Sequence, residues 1–252
     1  MRLDQLLIHK SLARSRTQAQ KLIAAGQVMV ASAGQWQVVT KVSGQFEENT
    51  EVKVNLGEEQ RYVSRAGLKL AGALETLALD VKDLICLDVG QSTGGFTDCL
   101  LQHQAKKVVG VDVGHTQLAN SLRGDARVIC MEGINARELP IEEIFDYNEG
   151  RLFTFAVMDV SFISQTLILP GLAHCIAKRG KLLSLVKPQF EVGPKGLAKG
   201  GIVKDESLFA EVQHQVQQAA ESAGFSILDY IPSPIDGGDG NKEFFLYAQK
   251  VN

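Results

Sequence analysis

The sequence predicts an α/β protein in two parts, a small α+β module followed by a doubly wound sheet. Three observations carry this reading. Short apolar runs alternate with helical stretches through residues 84–248, a glycine-rich turn joins the first of those runs to a helix, and residues 1–30 carry a charge opposite to that of the rest. A chain of 252 residues fits one large domain or a large one with a small one. With 45% hydrophobic and 22% charged residues, and Gly 24 against Pro 6, the composition is globular and excludes disorder as the main state. The greasiest stretches, residues 152–160 and 182–186, stop at Asp159 and Lys187, which argues against a membrane span. The opening Met1-Arg2-Leu3-Asp4 has no apolar segment or cleavage site, so a cytoplasmic location is expected. Cys86, Cys99, Cys130 and Cys175 lie 13, 31 and 45 positions apart, without metal-ligand spacing, and read as buried thiols; no metal is expected.

The first elements are two helices. Leu3, Leu6 and Leu7 follow i, i+3, i+4 spacing. Ser15-Arg16-Thr17-Gln18 offers N-cap candidates for a second helix over residues 19–25, which Gly26 stops. Residues 27–30 and 51–54 alternate like edge strands. Arg2, Lys10, Arg14, Arg16 and Lys21 face Asp4 alone over residues 1–30, a net +4 that leaves −7 for the remainder. A basic module on an acidic body suits docking to a phosphate backbone. A helix N-terminus among the cations adds an anion site.

Arg2-Leu3-Asp4-Gln5-Leu6-Leu7, Ala13-Arg14-Ser15-Arg16-Thr17-Gln18-Ala19 and Ile23-Ala24-Ala25-Gly26-Gln27-Val28 together resemble the αL RNA-binding domain. The resemblance covers residues 1–58 and implies that Arg14, Arg16 and Lys21 face RNA phosphates, with Arg2 beside them. The Arg-Leu-Asp of pseudouridine synthases is a different motif, since here it opens the module with no Gly before it. Gly57 and the charged residues 58–61 mark the joint, giving a module of 1–58, a linker of 59–62 and a second domain of 63–252.

In the second domain a buried-strand run over residues 84–89 is followed by Gly90-Gln91-Ser92-Thr93-Gly94-Gly95-Phe96 and a helix over 97–104. The next strand, 108–113, brings Asp112 about one βα unit later, where an acid can take a ribose diol. Asp88, Gly90, Ser92, Thr93, Gly94, Gly95, Phe96 and Asp112 are therefore candidates for holding a nucleoside cofactor. The glycines are not spaced GxGxxG, and no Gly-Lys-Ser/Thr follows, which weakens dinucleotide and NTPase readings. A broad turn free of phosphate contacts suits S-adenosylmethionine, so methyltransferase becomes the leading class. Strands over 126–130, 154–158, 181–186, 226–231 and 244–248 and helices over 163–177 and 207–223 complete a Rossmann-like, seven-stranded sheet. The last two strands are joined without a helix, which makes the final one antiparallel.

Ligands gather at the carboxyl edge of parallel strands. Asp159 and Lys187 end strands there, and Glu243 begins the antiparallel one at the same edge; Lys69, on a helix-like stretch, can complete the set. Tyr62-Val63-Ser64-Arg65-Ala66-Gly67-Leu68-Lys69-Leu70, Gly90 to Asp98, Asp159-Val160-Ser161-Phe162-Ile163-Ser164, Lys187-Pro188-Gln189-Phe190-Glu191 and Asn241-Lys242-Glu243-Phe244 resemble the haemolysin-A (TlyA) type of ribosomal RNA 2′-O-methyltransferases, with an FtsJ-like methyltransferase domain. The resemblance implies a Lys-Asp-Lys-Glu catalytic tetrad at Lys69, Asp159, Lys187 and Glu243, S-adenosylmethionine as cofactor and a ribosomal RNA cytidine as target, with ribosomal RNA or a ribosomal subunit as partner. The short N-terminus resembles the variant restricted to large-subunit RNA. Two departures stand out, Gln91 where a small residue is usual and Ala66 where Gly is common; the first bears on how tightly the cofactor is held.

The expected chemistry is in-line attack of a ribose 2′-oxygen on a sulfonium methyl, with Lys187 as base or alkoxide stabiliser, Asp159 orienting it, and Lys69 and Glu243 fixing the ribose. Which lysine is neutral stays open. Residues 193–201, rich in glycine, read as a mobile loop that orders over RNA, and Arg65, Lys195 and Lys199 are further candidate RNA contacts. Two other classes remain: a noncatalytic RNA-binding assembly factor and a membrane-lytic protein. The four intact polar positions oppose the first, and the lack of an amphipathic cationic segment opposes the second.

Overall fold

In the computed structural model, residues 1–13, 15–32, 34–55 and 61–251 are described. Arg14 and residues 59 and 60 of the expected linker lie outside them. The chain divides into two compact units, Met1–Arg61 and Tyr62–Asn252.

The first unit opens with α1 (Leu3–His9) and α2 (Arg16–Ala24), followed by β1 (Val28–Ser32), β2 (Gln35–Val38) and β3 (Val52–Val54). Ser15 caps α2 by accepting from the Gln18 amide at 3.2 Å, and Gly26, at φ 69°, follows its end. The apolar faces of both helices, Leu3, Leu6, Leu7, Leu22 and Ile23, bury completely against Val28 and Val30. The sheet order is β2-β1-β3, all antiparallel, so the run expected to be an edge at residues 27–30 is the central strand. β2 is an addition to the expected elements; Gln35-Trp36-Gln37-Val38 does alternate polar and apolar residues, but over only four largely exposed positions.

Asp4 is a charged residue with no exposure in this unit. It accepts from Arg2 Nε at 3.1 Å, Arg16 Nε at 2.9 Å and Gln20 Nε2 at 3.0 Å. Two of the cations expected on RNA are thus held by one carboxylate, their side chains still 37% and 54% exposed. Burial pushes the Asp4 carboxyl up, but the bonds from Arg16, Gln20 and Arg2 outweigh it and hold it well below the usual range.

The second unit comprises α3 (Ala66–Thr76), β4 (Ile85–Val89), α4 (Gly95–Gln102), β5 (Lys107–Asp112), α5 (Asn120–Arg123), β6 (Val128–Glu132), α6 (Ile141–Asp146), β7 (Phe153–Met158), α7 (Leu169–Ala173), β8 (Ile176–Val186), α8 (Ser207–Ser222), β9 (Phe225–Pro232) and β10 (Phe244–Lys250). The sheet order is β6-β5-β4-β7-β8-β10-β9, with β4 to β8 mutually parallel and β10 antiparallel to both β8 and β9. Helices cover both faces. Leu70, Leu74, Phe96 and Leu100 from α3 and α4 pack on one side, and Ile144, Leu172, Val212 and Val216 from α6, α7 and α8 on the other. Successive β4 residues divide accordingly, Cys86 to the first cluster and Leu87 and Val89 to the second, as the pleat of a strand covered on both faces requires.

The single helix expected over residues 163–177 is instead a one-turn 3-10 segment at Gln165–Leu167 and the short α7, with β8 already running from Ile176. Pro170, near the start of α7, has no amide hydrogen for a preceding turn and restarts the helix there. Cys86, Cys99 and Cys175 are buried as expected, whereas Cys130 is only half-buried. Burial pushes the Cys86 and Cys175 thiols up to about 12.

Replacing Asp4 with Asn tests the Arg2–Asp4–Arg16 cluster. A carboxyl depressed in the fold contributes stability above its unfolded pKa of ~3.9 and loses it as the pH falls toward the folded value. Asp4→Asn is therefore expected to lower the melting temperature of the first unit at pH 7, with the gap from wild type closing on acidification below pH ~4. Trp36, the one tryptophan of the chain and part of this unit, reports the transition by fluorescence.

Candidate active site

β4 runs into the glycine turn, and the turn into α4. At Gly90, φ 85°, a Cβ would collide with the carbonyl oxygen of Asp159, so the ends of β4 and β7 meet backbone to backbone, an approach open only to glycine. The Asp159 amide donates to Val89 O at 2.9 Å at the same crossing. Gly94, φ 93°, packs where a side chain would strike Leu118 and Leu122, and it precedes the first turn of α4. A cleft opens over this turn in two lobes that share Gly90, Ser92, Asp159 and Ser161. The larger, about 470 Å³, is walled by Asp112, Val113, Ile134, Asn135, Ala136 and Val160, and the smaller, about 140 Å³, reaches Ser64, Thr93, Gly95, Phe96 and Lys187.

The candidate cofactor residues fall into two groups. Gly90, Ser92, Thr93, Gly95, Phe96 and Asp112 line the cleft. Asp112 already accepts from the Ser92 amide through Oδ2 and from the Gly114 amide through Oδ1, both at 2.7 Å, so it also clamps the turn. Each of its oxygens keeps a further lone pair. Gly94 and Asp88 are outside the cleft lining, and Asp88 lies beneath the turn, fully buried. Its Oδ2 accepts from Thr97 Oγ1 at 2.6 Å, and Thr97 Oγ1 accepts from Gln91 Nε2 at 2.9 Å, while Asp88 Oδ1 has no partner. Burial pushes the Asp88 carboxyl up to about 7; the Thr97 hydrogen bond pulls against this, and the charges of Asp159 and Asp112 add to it. Gln91 is itself buried, its amide filling the space that a Cβ on Gly110 of β5 would need. The side chain that departs from the family pattern is thereby turned into the sheet.

Asp159 follows β7, Lys187 follows β8, Glu243 precedes β10 and Lys69 lies on α3. They form two ion pairs. Lys187 Nζ lies 2.5 Å from Asp159 Oδ1 without hydrogen-bond geometry at that oxygen, and donates instead to Ser161 Oγ at 3.0 Å. Lys69 Nζ donates to Glu243 Oε2 at 2.6 Å, the two residues only 8% and 4% exposed. Phe244 pairs with Val186, so Glu243 and Lys187 each lie one residue beyond the same rung of the β8–β10 ladder. Asp159 and Lys187 line the cleft; Lys69 and Glu243 do not.

Further side chains brace the loops that carry these groups, and the sequence reading misses them. Glu191 accepts from Ser164 Oγ and, at 3.0 Å, from the Gln165 amide, while Gln165 Oε1 accepts from Ser184 Oγ at 2.6 Å; the loops after β7 and β8 are joined through a buried polar chain. Asn241, 3% exposed, accepts from the Val203 amide and donates to Gly201 O, fastening the glycine-rich segment to the approach of β10. That segment, read from the sequence as a mobile loop, contains a 3-10 turn at Pro194–Gly196 and a bridge between Ala198 and Ile202. Asn135, in the cleft wall after β6, obeys the same strand-end rule that singled out Asp159. Phe162 stands at the cleft mouth 91% exposed with φ 64°, its ring 5.1 Å from that of Phe190. The candidate RNA contacts of the second unit, Arg65, Lys195 and Lys199, are all exposed, as is Lys21 of the first unit. Among the described residues no cluster of His, Cys, Asp and Glu could hold a metal, and no helix is long and apolar enough to cross a membrane.

The buried charges can be tested by titration and by substitution. A carboxyl raised in the fold binds its proton more tightly there than in the unfolded chain. The contribution of Asp88 to stability therefore falls as pH rises from its unfolded value of ~4 to about 7. Calorimetry is expected to show that slope in the melting of the second unit, and Asp88→Asn, which keeps an acceptor for Thr97, to flatten it. Breaking the sealed pair by Glu243→Leu or Lys69→Met alone should cost about 3–5 kcal/mol through the charge left behind. The double replacement should cost less than either single one in denaturant titrations.

Residues 62–250 match the FtsJ-like methyltransferase family, and residues 1–52 match the S4 domain. A Mycobacterium tuberculosis protein named 16S/23S rRNA (cytidine-2′-O)-methyltransferase TlyA is 42% identical over 248 residues, 98% of this chain and 89% of that one. Hemolysin A of Brachyspira hyodysenteriae is 38% identical over 98% of this chain and 99% of its own length. A solved hemolysin-type chain from Streptococcus thermophilus superposes with a TM-score of 0.73 at 42% identity, covering 100% of this chain and 89% of that one. The glycine turn, the strand-end ion pairs and these matches agree: the chain belongs to the FtsJ-like methyltransferase family, in its TlyA branch, with an S4 domain at the N-terminus.

Proposed function

We propose that this protein transfers the methyl group of S-adenosylmethionine to the ribose 2′-oxygen of a cytidine in ribosomal RNA. The observation that carries the reading is the Lys187–Asp159 pair at the wall of the smaller lobe, directly beyond the glycine turn. The M. tuberculosis relative supplies the cytidine and the 2′-oxygen, through the reaction for which it is named.

The cleft fits the cofactor. Val113, Ile134, Ala136 and Val160 offer an apolar wall for a base, Asp112 keeps acceptor capacity for ribose hydroxyls, and the exposed backbone of the turn receives the amino-acid end. The bound cofactor supplies a methyl group on a cationic sulfur. The 2′-hydroxyl is a weak nucleophile at neutral pH, and Lys187 Nζ is the cation at the cleft wall placed to meet it. From that position Lys187 accepts the hydroxyl proton or stabilises the developing alkoxide as the new C–O bond forms and the C–S bond breaks. Asp159 fixes the lysine, and Ser161 fixes it from the second side. Lys69 and Glu243, sealed beside the β8–β10 rung, hold the strand end in place and position the ribose. Arg2, Arg16 and Lys21 of the first unit bind RNA phosphates, and Arg65, Lys195 and Lys199 extend that contact in the second.

Transfer of a labelled methyl group to ribosomal RNA of both subunits tests the reading. Lys187→Ala should retain S-adenosylmethionine binding by calorimetry and lose transfer by ~10²–10⁴-fold, the range expected for removing a positioned acid–base group. Transfer at the wild-type rate would remove Lys187 from its role, and unlabelled RNA with the wild-type protein would overturn the substrate.

A further inference from the structure

The face of the first unit's sheet that turns away from its core has a composition that the helices and their arginines do not account for. Val28 and Val30 of β1 point into the core at 0% and 3% exposure, so Met29 and Ala31 point outward. In the register, Trp36 pairs with Ala31, Val38 with Met29, and Lys53 with Met29 from the other side. Trp36, Val38, Met29 and Ala31 therefore form an apolar platform across β2 and β1, bordered on β3 by Lys53. Val38 is 56% exposed there. Beside the indole runs an open groove lined by Lys10, Leu12, Trp36, Glu51, Val52 and Lys53. Lys53 Nζ sits 4.1 Å from the centroid of the Trp36 ring.

We infer that this outer sheet face is a stacking platform for an unpaired base of the RNA substrate, with Trp36 as the surface stacked upon and Lys53 and Lys10 taking the adjoining phosphates. The inference rests on the RNA-directed reading of the chain and adds a contact surface to it. Indole with flanking lysines is the composition of single-strand sites, where an aromatic face takes the base and cations track the backbone. The charges select the occupant. Two cations against the single carboxylate of Glu51 border the groove, in a unit whose opening segment is already strongly basic. That balance fits a polyanion better than an apolar protein surface. An exposed cation–π contact is weaker than stacking of a base on indole, so an arriving base displaces the Lys53 ammonium from the ring toward the phosphate.

Trp36 is the only tryptophan in the sequence, so the intact protein carries its own reporter of this face. A fluorescein-labelled, single-stranded ribosomal RNA fragment is titrated while its anisotropy and the tryptophan emission are followed together. The expected result is quenching of Trp36 in step with the anisotropy rise, about tenfold weaker binding for Trp36→Ala, and near wild-type affinity for Trp36→Phe, which keeps an aromatic face. Circular dichroism of both variants separates lost stacking from lost folding. If anisotropy rises while Trp36 emission stays constant, or if folded Trp36→Ala binds like wild type, the platform is not an RNA surface and the RNA-directed reading survives. If anisotropy never rises, the RNA-directed reading falls and the platform with it.

Discussion

The geometry of the cleft depends on one steric constraint, the contact of Gly90 with the Asp159 backbone. Two parallel strands, β4 and β7, leave the sheet side by side, and the absence of a side chain at Gly90 lets the chain after β7 pass directly against the turn after β4. Any larger residue would push the strand ends apart. Because they are not apart, Asp159 borders both lobes at once. Asp112 secures the turn from the neighbouring strand by holding the Ser92 amide.

The two ion pairs at this edge differ in what water can reach. Lys187 and Asp159 keep side-chain exposures of 12% and 15%, and Lys187 donates to a serine hydroxyl while it lies against the carboxylate. Lys69 and Glu243, at 10% and 3%, are more closed off, and the carboxylate most of all. A charge at the cleft wall stays within reach of whatever enters, whereas a charge kept dry with its partner fixes local geometry, since desolvated pairs hold geometry at little net gain in stability. The polar chain through Ser164, Glu191, Gln165 and Ser184 does similar anchoring work for the loops after β7 and β8.

Much of this is legible in the sequence because the rules concerned are local or topological. Strand, glycine turn and helix announce the cleft at residues 84–104, and the strand-end rule picks out Asp159, Lys187 and Glu243 without coordinates. What escapes is set by tertiary contacts. β2 spans only four residues and is largely exposed, so its polar–apolar alternation is too short to stand out from the surrounding loop. Residues 176–180 follow a helical stretch and include the irregular pair Arg179 and Gly180, so the early start of β8 hides in the preceding helical pattern. Asn241 and Glu191 are ordinary polar residues until the backbone groups they satisfy, at Val203 and Gln165, are brought to them by the fold. Asp88 sits beside the turn in sequence, yet the alternation of the strand sends its side chain to Thr97 on α4, outside the cleft lining.

The filling of the void opposite Gly110 by Gln91 has a consequence for inheritance. A lineage in which position 91 is small has volume to spare on β5, and one with glutamine there has none. The two sites can thus exchange bulk only in concert: a side chain at position 110 requires the Gln91 amide to withdraw or a smaller residue at position 91.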